Sequence, residues 1–159
     1  SYGELAGERM KLGLMLHDPE EEHDCFADNT HNSHYYDELG MHAIYNGRYV
    51  RVDGSVVEGA SLGDIVAAKD AALAAKIDAA MDDALAKLGL IKMTADRRIM
   101  SYDQMLAQGN DAGNKLVADA VDALVVQAKA IEAAIKPLGL AEIAFEGSDS
   151  LDNPNAVFQ

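Results

Sequence analysis

Residues 111–136 read DAGNKLVADAVDALVVQAKAIEAAIK and place apolar side chains at steps of three and four. The apolar positions are Leu116, Val117, Ala120, Val121, Leu124, Ala128, Ile131 and Ile135. This spacing predicts an amphipathic α-helix with one buried face. Asn110 or Asp111 can cap its start, and Pro137 followed by Gly139 predicts its end. At 1.5 Å per residue the helix is a rod of roughly 39 Å, around which a bundle can form.

Four more stretches carry helical patterns. They cover residues 5–16, 30–49, 62–88 and 102–107, with Thr30 or Asn32, Ser61 and Ser101 as the caps of the last three, and Gly89 as the end of the helix that begins at Leu62. Residues 48–57, with Asp53-Gly54 at their centre, predict a small hairpin or turn, and residues 146–159 predict an extended surface tail. Four to five helices with short connections predict an all-α bundle. The length of 159 residues indicates one domain.

The charge of the chain excludes several kinds of partner. Lys and Arg number 13 and Asp and Glu number 27, which gives a net charge of −14. Such a polyanion repels phosphate backbones, so we expect no nucleic-acid partner. No apolar run approaches the length of a membrane span, so we expect no transmembrane segment in this chain. A single cysteine excludes an internal disulfide framework and a thiolate zinc cluster.

All five histidines lie between residues 17 and 42, among many of the acidic side chains. Residues 20–38 read EEEHDCFADNTHNSHYYDE. Imidazole nitrogen and carboxylate oxygen are ligands for borderline and hard cations. His31, His34 and Asp37 are spaced by three, so on a helix they share one side and could converge on an ion. The alternative is a polar segment whose side chains cap helices and satisfy backbone groups.

Catalytic motifs are incomplete in this sequence. Residues 59–63, GASLG, match the pattern of a nucleophile elbow, but no histidine follows His42 to act as the base. We therefore interpret Ser61 as a helix cap. The chain has no His-Glu dipeptide, so the zinc-peptidase helix motif is absent. Cys25, next to Phe26, is more typical of a small buried apolar residue than of a nucleophile. We predict no catalytic residue.

Two blocks of the sequence resemble a known family. EHDCFADNTH at residues 22–31 resembles the signature of the imelysin family, iron-regulated exported proteins that are also classed as metallopeptidases. YDQM at residues 102–105, with the Gly-Asn pairs at 109–110 and 113–114, is similar to a second block of that family. Ser61-Leu62 and residues 138–140 also fit, and the resemblance extends over nearly the whole chain.

This resemblance implies a protein of two related helical bundles, of which residues 1–159 look like the second, C-terminal one. It further implies export to the periplasm or outer membrane, often as a lipoprotein, although this chain carries no signal peptide. The implied role is iron uptake, with a metal ion or an iron-bearing ligand and the first bundle as partners. Residues 40–45, GMHAIY, look like the family's Gly-x-His-x-x-Glu motif with tyrosine in place of glutamate.

These observations lead to one main hypothesis and two alternatives. The main hypothesis is a binding protein that holds iron, or another divalent metal, through a His/Asp/Glu cluster. The leading ligand candidates are His23, Asp28, His31 and His34. Second choices, as ligands or as acceptors that orient the imidazoles, are Glu22, Asp24, Asp37, His42 and Tyr45. One alternative is a metallopeptidase whose site is completed by the first bundle, although the residues give its peptidase label no support. The other is a structural or docking bundle.

Overall fold

The computed structural model describes residues 2–141, and they form an all-α bundle, as the sequence predicts. The chain begins with a π-helix, Tyr2–Lys11, that continues into α1, Leu12–Leu16. The long helices are α2, Thr30–Asn46, α4, Ala71–Asp96, and α6, Asp111–Glu132; the short ones are α3, Leu62–Lys69, and α5, Tyr102–Leu106. Between α1 and α2 lie two turns of 3₁₀-helix, Pro19–Glu21 and Cys25–Ala27.

The long helices pack side by side, with α4 against both α6 and α2, and the π-helix against α6. Their apolar faces form two clusters of buried side chains. The larger cluster joins the π-helix, α4, α5 and α6 around Met10, Leu88, Tyr102 and Leu124. The smaller cluster lies around Tyr45, Val66, Ile77, Met81 and Ala130. Because α4 and α6 each contribute to both clusters, these two helices form the centre of the bundle.

One predicted helix is divided in two, which raises the number of α-helices among residues 2–141 from five to six. The prediction for residues 62–88 was a single helix that ends at Gly89, and this is wrong in both respects. Asp70 has an extended backbone and its carboxylate accepts from the Leu73 N–H at 2.9 Å, so it caps a new helix. Helix α4 then continues through Gly89 to Asp96.

Two predicted helix caps and the hairpin are confirmed, whereas the bounds of α2 differ from the prediction. Ser61 Oγ accepts from the Asp64 N–H at 2.8 Å, and Asn110 Oδ1 accepts from the Gly113 N–H at 3.1 Å. Helix α2 begins at Thr30 after Asn29, whose side chain makes no capping hydrogen bond, so the predicted cap at Thr30 or Asn32 is wrong. The helix ends at Asn46 instead of near Tyr49. The predicted hairpin pairs β1, Arg48–Val50, with β2, Val56–Glu58, in antiparallel register. The predicted tail at 146–159 lies outside the described residues.

Helix α5 lies very close to the start of α6. A Cβ atom on Gly113 would be only 2.6 Å from Met105 Cα, so no larger residue fits without a shift of the backbone. Asn114 Nδ2 reinforces this contact by donating to the backbone oxygen of Met105 at 2.6 Å. This packing fixes α5, and with it Tyr102, whose ring is fully buried beside His34 of α2.

Candidate functional site

The histidine-rich segment and the start of α2 meet at one end of the bundle. We call this region the histidine end and define it by Glu22, His23, His31, His34 and Tyr102. Its side chains come from the irregular segment between the two 3₁₀ turns, from α2 and from α5. His31 and His34 share the buried side of α2, as their spacing predicts.

His34 is the centre of the histidine end. Its side chain is completely buried, and neither ring nitrogen has a hydrogen-bond partner in the part of the chain that the structure describes. The Tyr102 ring meets it edge-on, with centroids 5.3 Å apart. Burial, followed by the charges of His23, Arg9 and His31, lowers the pKa of His34 to about 3. The imidazole is therefore neutral at physiological pH and keeps a free lone pair for a ligand.

Glu22 carries the second unsatisfied group of this end. Its side chain is buried and Oε2 has no partner among residues 2–141. Burial raises the pKa of Glu22, the hydrogen bond with Thr30 lowers it, and the neighbouring charges of Asp103, Asp28 and Asp24 raise it. Three further carboxyl groups therefore lie within electrostatic reach of Glu22, an arrangement that favours a cation.

The other two histidines already have partners within the protein. His23 is exposed, contacts the guanidinium of Arg9, and stacks on His34 with ring centroids 6.3 Å apart. His31 Nε2 lies 3.3 Å from Asp96 Oδ1 and 3.0 Å from Asn32 Nδ2, whereas its Nδ1 has no partner in the described chain. These two rings lie beside His34, but the nitrogens of the three rings do not converge on one point.

Asp24 and Asp28 shape the loop that leads into α2. The Asp24 N–H donates to Thr30 Oγ1 at 3.0 Å, and Asp24 Oδ2 accepts from Ser33 Oγ at 3.2 Å. Asp28 is exposed and has a left-handed backbone at the end of the second 3₁₀ turn. Their carboxylates contribute charge to the histidine end.

Three of the second-choice residues lie away from His34. Asp37 is exposed. His42 and Tyr45 lie about 12 and 16 Å further along α2. His42 Nε2 is 3.0 Å from Asp82 Oδ1, and Tyr45 belongs to the smaller apolar cluster. The structure therefore brings four of the predicted residues together at the histidine end, namely Glu22, His23, His31 and His34. It places His42 and Tyr45 elsewhere on α2.

Sequence reasoning missed a buried polar pair next to this site. Glu38, one helical turn after His34, is completely buried, and its Oε2 accepts from Gln127 Nε2 of α6 at 3.1 Å. Burial raises the pKa of Glu38 to about 7, although the hydrogen bond from Gln127 lowers it. Two signals were available: Glu38 follows His34 by four, and Gln127 interrupts the apolar stripe of α6.

The donor set fits a metal ion only in part. Within residues 2–141, no three His, Cys, Asp or Glu side chains are placed to hold one ion. His34 and Glu22 do offer buried atoms without partners, which is the local chemistry that a metal ligand needs. A third donor would have to come from His23 or His31 after a side-chain movement, or from elsewhere.

The fold and the site define an all-α bundle protein with a buried centre of imidazole and carboxyl groups. Within residues 2–141, no helix is both long and apolar enough to cross a membrane. The chain belongs to the imelysin family, whose family model, described as Imelysin, matches residues 1–131. Comparison with curated proteins gives no match.

Proposed function

We propose that this chain binds a metal ion as part of an exported imelysin-type protein of bacterial iron uptake. The observation that carries the proposal is His34, a fully buried imidazole with two unpartnered nitrogens. Glu22 adds a buried oxygen without a partner among residues 2–141, and it borders the same Tyr102 that His34 contacts. Groups of this kind are normally satisfied by protein, water or an ion. Iron or another divalent metal is the partner that matches both nitrogen and oxygen donors.

His34 and Glu22 would hold the ion, and His23 would join them by turning from Arg9. His23 is the residue best placed for this, because it is exposed and already stacks on His34. His31 would remain with Asp96 and keep α2 in position. Asp24, Asp28 and Asp103 supply negative charge that draws a cation to this end of the bundle.

The test is elemental analysis of protein purified without chelators and dialysed at near-physiological salt. The salt matters because a chain with a net charge of −14 attracts cations without specific ligands. The proposal predicts about one equivalent of metal in the wild-type chain, lost in His34→Gln and in His23→Gln. His23 is exposed, so the second variant reports on binding even if the first one folds poorly.

His42→Gln is the matched control. His42 lies on the same helix, but it pairs with Asp82 away from the histidine end. It should keep the wild-type metal content. Mixed metals well below one equivalent, unchanged by His34→Gln and His23→Gln, would overturn the proposal.

A structural role for the histidine end is the second candidate, and the pairing of His31 with Asp96 and of His23 with Arg9 favours it. In that case His23→Ala, which removes the contact with Arg9, lowers the melting temperature and leaves the metal content unchanged. Loss of a stoichiometric metal without a change in stability excludes this candidate.

A further inference from the structure

A cavity of about 310 Å³ lies at the C-terminal end of α2, whereas the histidine end lies at its start. Its walls come from the C-terminal half of α2 and from α3, α4 and α6, with Tyr2 of the π-helix completing it. Among residues 2–141, the residues that line the cavity are uncharged, and Tyr2 and Tyr45 are the ones that carry a polar side-chain group. The volume lies in the range of natural small-molecule pockets, and the absence of charge in the wall favours an uncharged occupant.

Tyr45 gives the cavity its polar feature. Its side chain is 6% exposed, and its Oη has no hydrogen-bond partner in the described part of the chain. The ring lies across Gly63, where an added Cβ would be 3.2 Å from Tyr45 Cε1. Burial, together with the charge of Asp78, raises the pKa of the Tyr45 phenol, so the group keeps its proton and can donate it. A buried donor without an acceptor is a group that a ligand can satisfy.

The side chains at the opening and in the wall of the cavity allow a ligand to enter. At the opening Ile44 is 71% exposed and Leu62 is 53% exposed, so apolar side chains face the solvent there. Met41 and Met81 lie in the wall, and methionine side chains adapt readily to the shape of an occupant. Because Tyr45 Oη is buried, a ligand atom would reach it after these flexible side chains move.

We propose that this cavity binds a compact, uncharged and largely apolar molecule that presents one hydrogen-bond acceptor to Tyr45 Oη. The site is separate from the histidine end, because Tyr45 lies about 16 Å from His34 along α2. The proposal does not depend on metal binding, and either one can fail without the other.

Quinoline and naphthalene test the proposal, because they have the same shape and only quinoline carries an acceptor nitrogen. Binding of each to the full chain is measured by isothermal titration calorimetry. We expect quinoline to bind Tyr45→Phe about tenfold more weakly than the wild type, the usual scale of one lost hydrogen bond. Naphthalene should bind the two proteins within about twofold of each other, since its contacts are apolar in both.

Ile44→Asp places a charge at the opening on an exposed position, so the fold is preserved while both probes lose affinity. Ile99→Asp is the matched control: Ile99 is 69% exposed and is not part of the lining. The proposal is overturned if neither probe binds, if Ile44→Asp and Ile99→Asp bind them equally well, or if Tyr45→Phe leaves the affinity for quinoline unchanged. It is also overturned if probe affinity falls with increasing protein concentration, because a second copy of the chain then covers the cavity.

Discussion

Gln127 of α6 donates a hydrogen bond from Nε2 to Oε2 of Glu38 on α2, over 3.1 Å, and both side chains are completely buried. The remaining oxygens, Glu38 Oε1 and Gln127 Oε1, have no partner within residues 2–141. A proton on Glu38 adds a donor to a pair that otherwise leaves two acceptors unsatisfied, so the neutral acid is the form that matches Gln127. This pair connects two long helices beside His34.

The stability of the fold should therefore depend on the charge of Glu38. Burial raises its pKa from 4.5 to about 7 in the folded chain, so the folded state binds this proton more tightly than the unfolded state does. The group's contribution to stability is complete below pH 4.5 and falls as the pH rises toward 7. We expect Glu38→Gln, relative to wild type, to gain about 3 kcal/mol between pH 4.5 and 8.

Urea unfolding of both proteins across this pH range measures the effect. Asp37→Asn is the control, because Asp37 is the exposed neighbour of Glu38 and should show no such gain. Parallel pH profiles for wild type and Glu38→Gln would show that Glu38 is ionised in the fold.

Removing Gln127 alone should lower the stability of the fold more than removing both Glu38 and Gln127. Gln127→Met leaves the Glu38 carboxyl buried without its donor, so we expect a loss of about 1–3 kcal/mol in the free energy of unfolding. The double variant Glu38→Met/Gln127→Met should recover most of that loss, since no buried polar group remains. Chemical denaturation of Gln127→Met, Glu38→Met and the double variant measures this coupling, and additive losses would contradict it.

Substitution by alanine should have opposite effects on stability at two glycines, one at the close contact between α5 and α6 and one within α2. Gly113→Ala forces a Cβ to within 2.6 Å of Met105 Cα and should destabilise the fold by about 1–3 kcal/mol. Gly40→Ala, within α2, meets nothing within 4 Å and should stabilise it by about 0.5–1 kcal/mol. Thermal denaturation distinguishes the two, and a stabilising Gly113→Ala would mean that α5 lies further from α6.

The helix cap formed by Asp70 can be tested by comparing a disruptive substitution with a conservative one. Asp70→Ala removes the acceptor of the Leu73 N–H and should cost about 1 kcal/mol, whereas Asp70→Asn keeps an acceptor and should cost much less. Equal losses in both variants, measured by urea unfolding, would indicate that the charge rather than the hydrogen bond is what matters.

Local signals in the sequence were sufficient for much of the fold. Ser61 and Asn110 cap their helices as predicted, because a cap depends on residues three positions apart. The break at Asp70 and the continuation through Gly89 were not predicted. The alanine-rich pattern is continuous across Asp70, and Gly89 lies inside a helix that the packing of α4 against α2 and α6 supports.

The site was predictable only in outline. Spacing correctly placed His31 and His34 on one side of α2, but it could not tell that His34 and Glu38 turn inward while Asp37 faces solvent. That choice is made by packing against α5 and α6, which supply Tyr102 and Gln127. Contacts of this range are set by the tertiary fold and leave little trace in a single sequence.

The most direct test of the central claim follows the ring nitrogens of the histidines by ¹H–¹⁵N NMR while Zn²⁺, a diamagnetic probe, is added to the full chain. A metal bound through His34 shifts one of its ring nitrogens and saturates at about one equivalent, while the His42 signals stay in place. Unmoved His34 signals at saturating Zn²⁺, or shifts shared equally by all five histidines, would contradict the account.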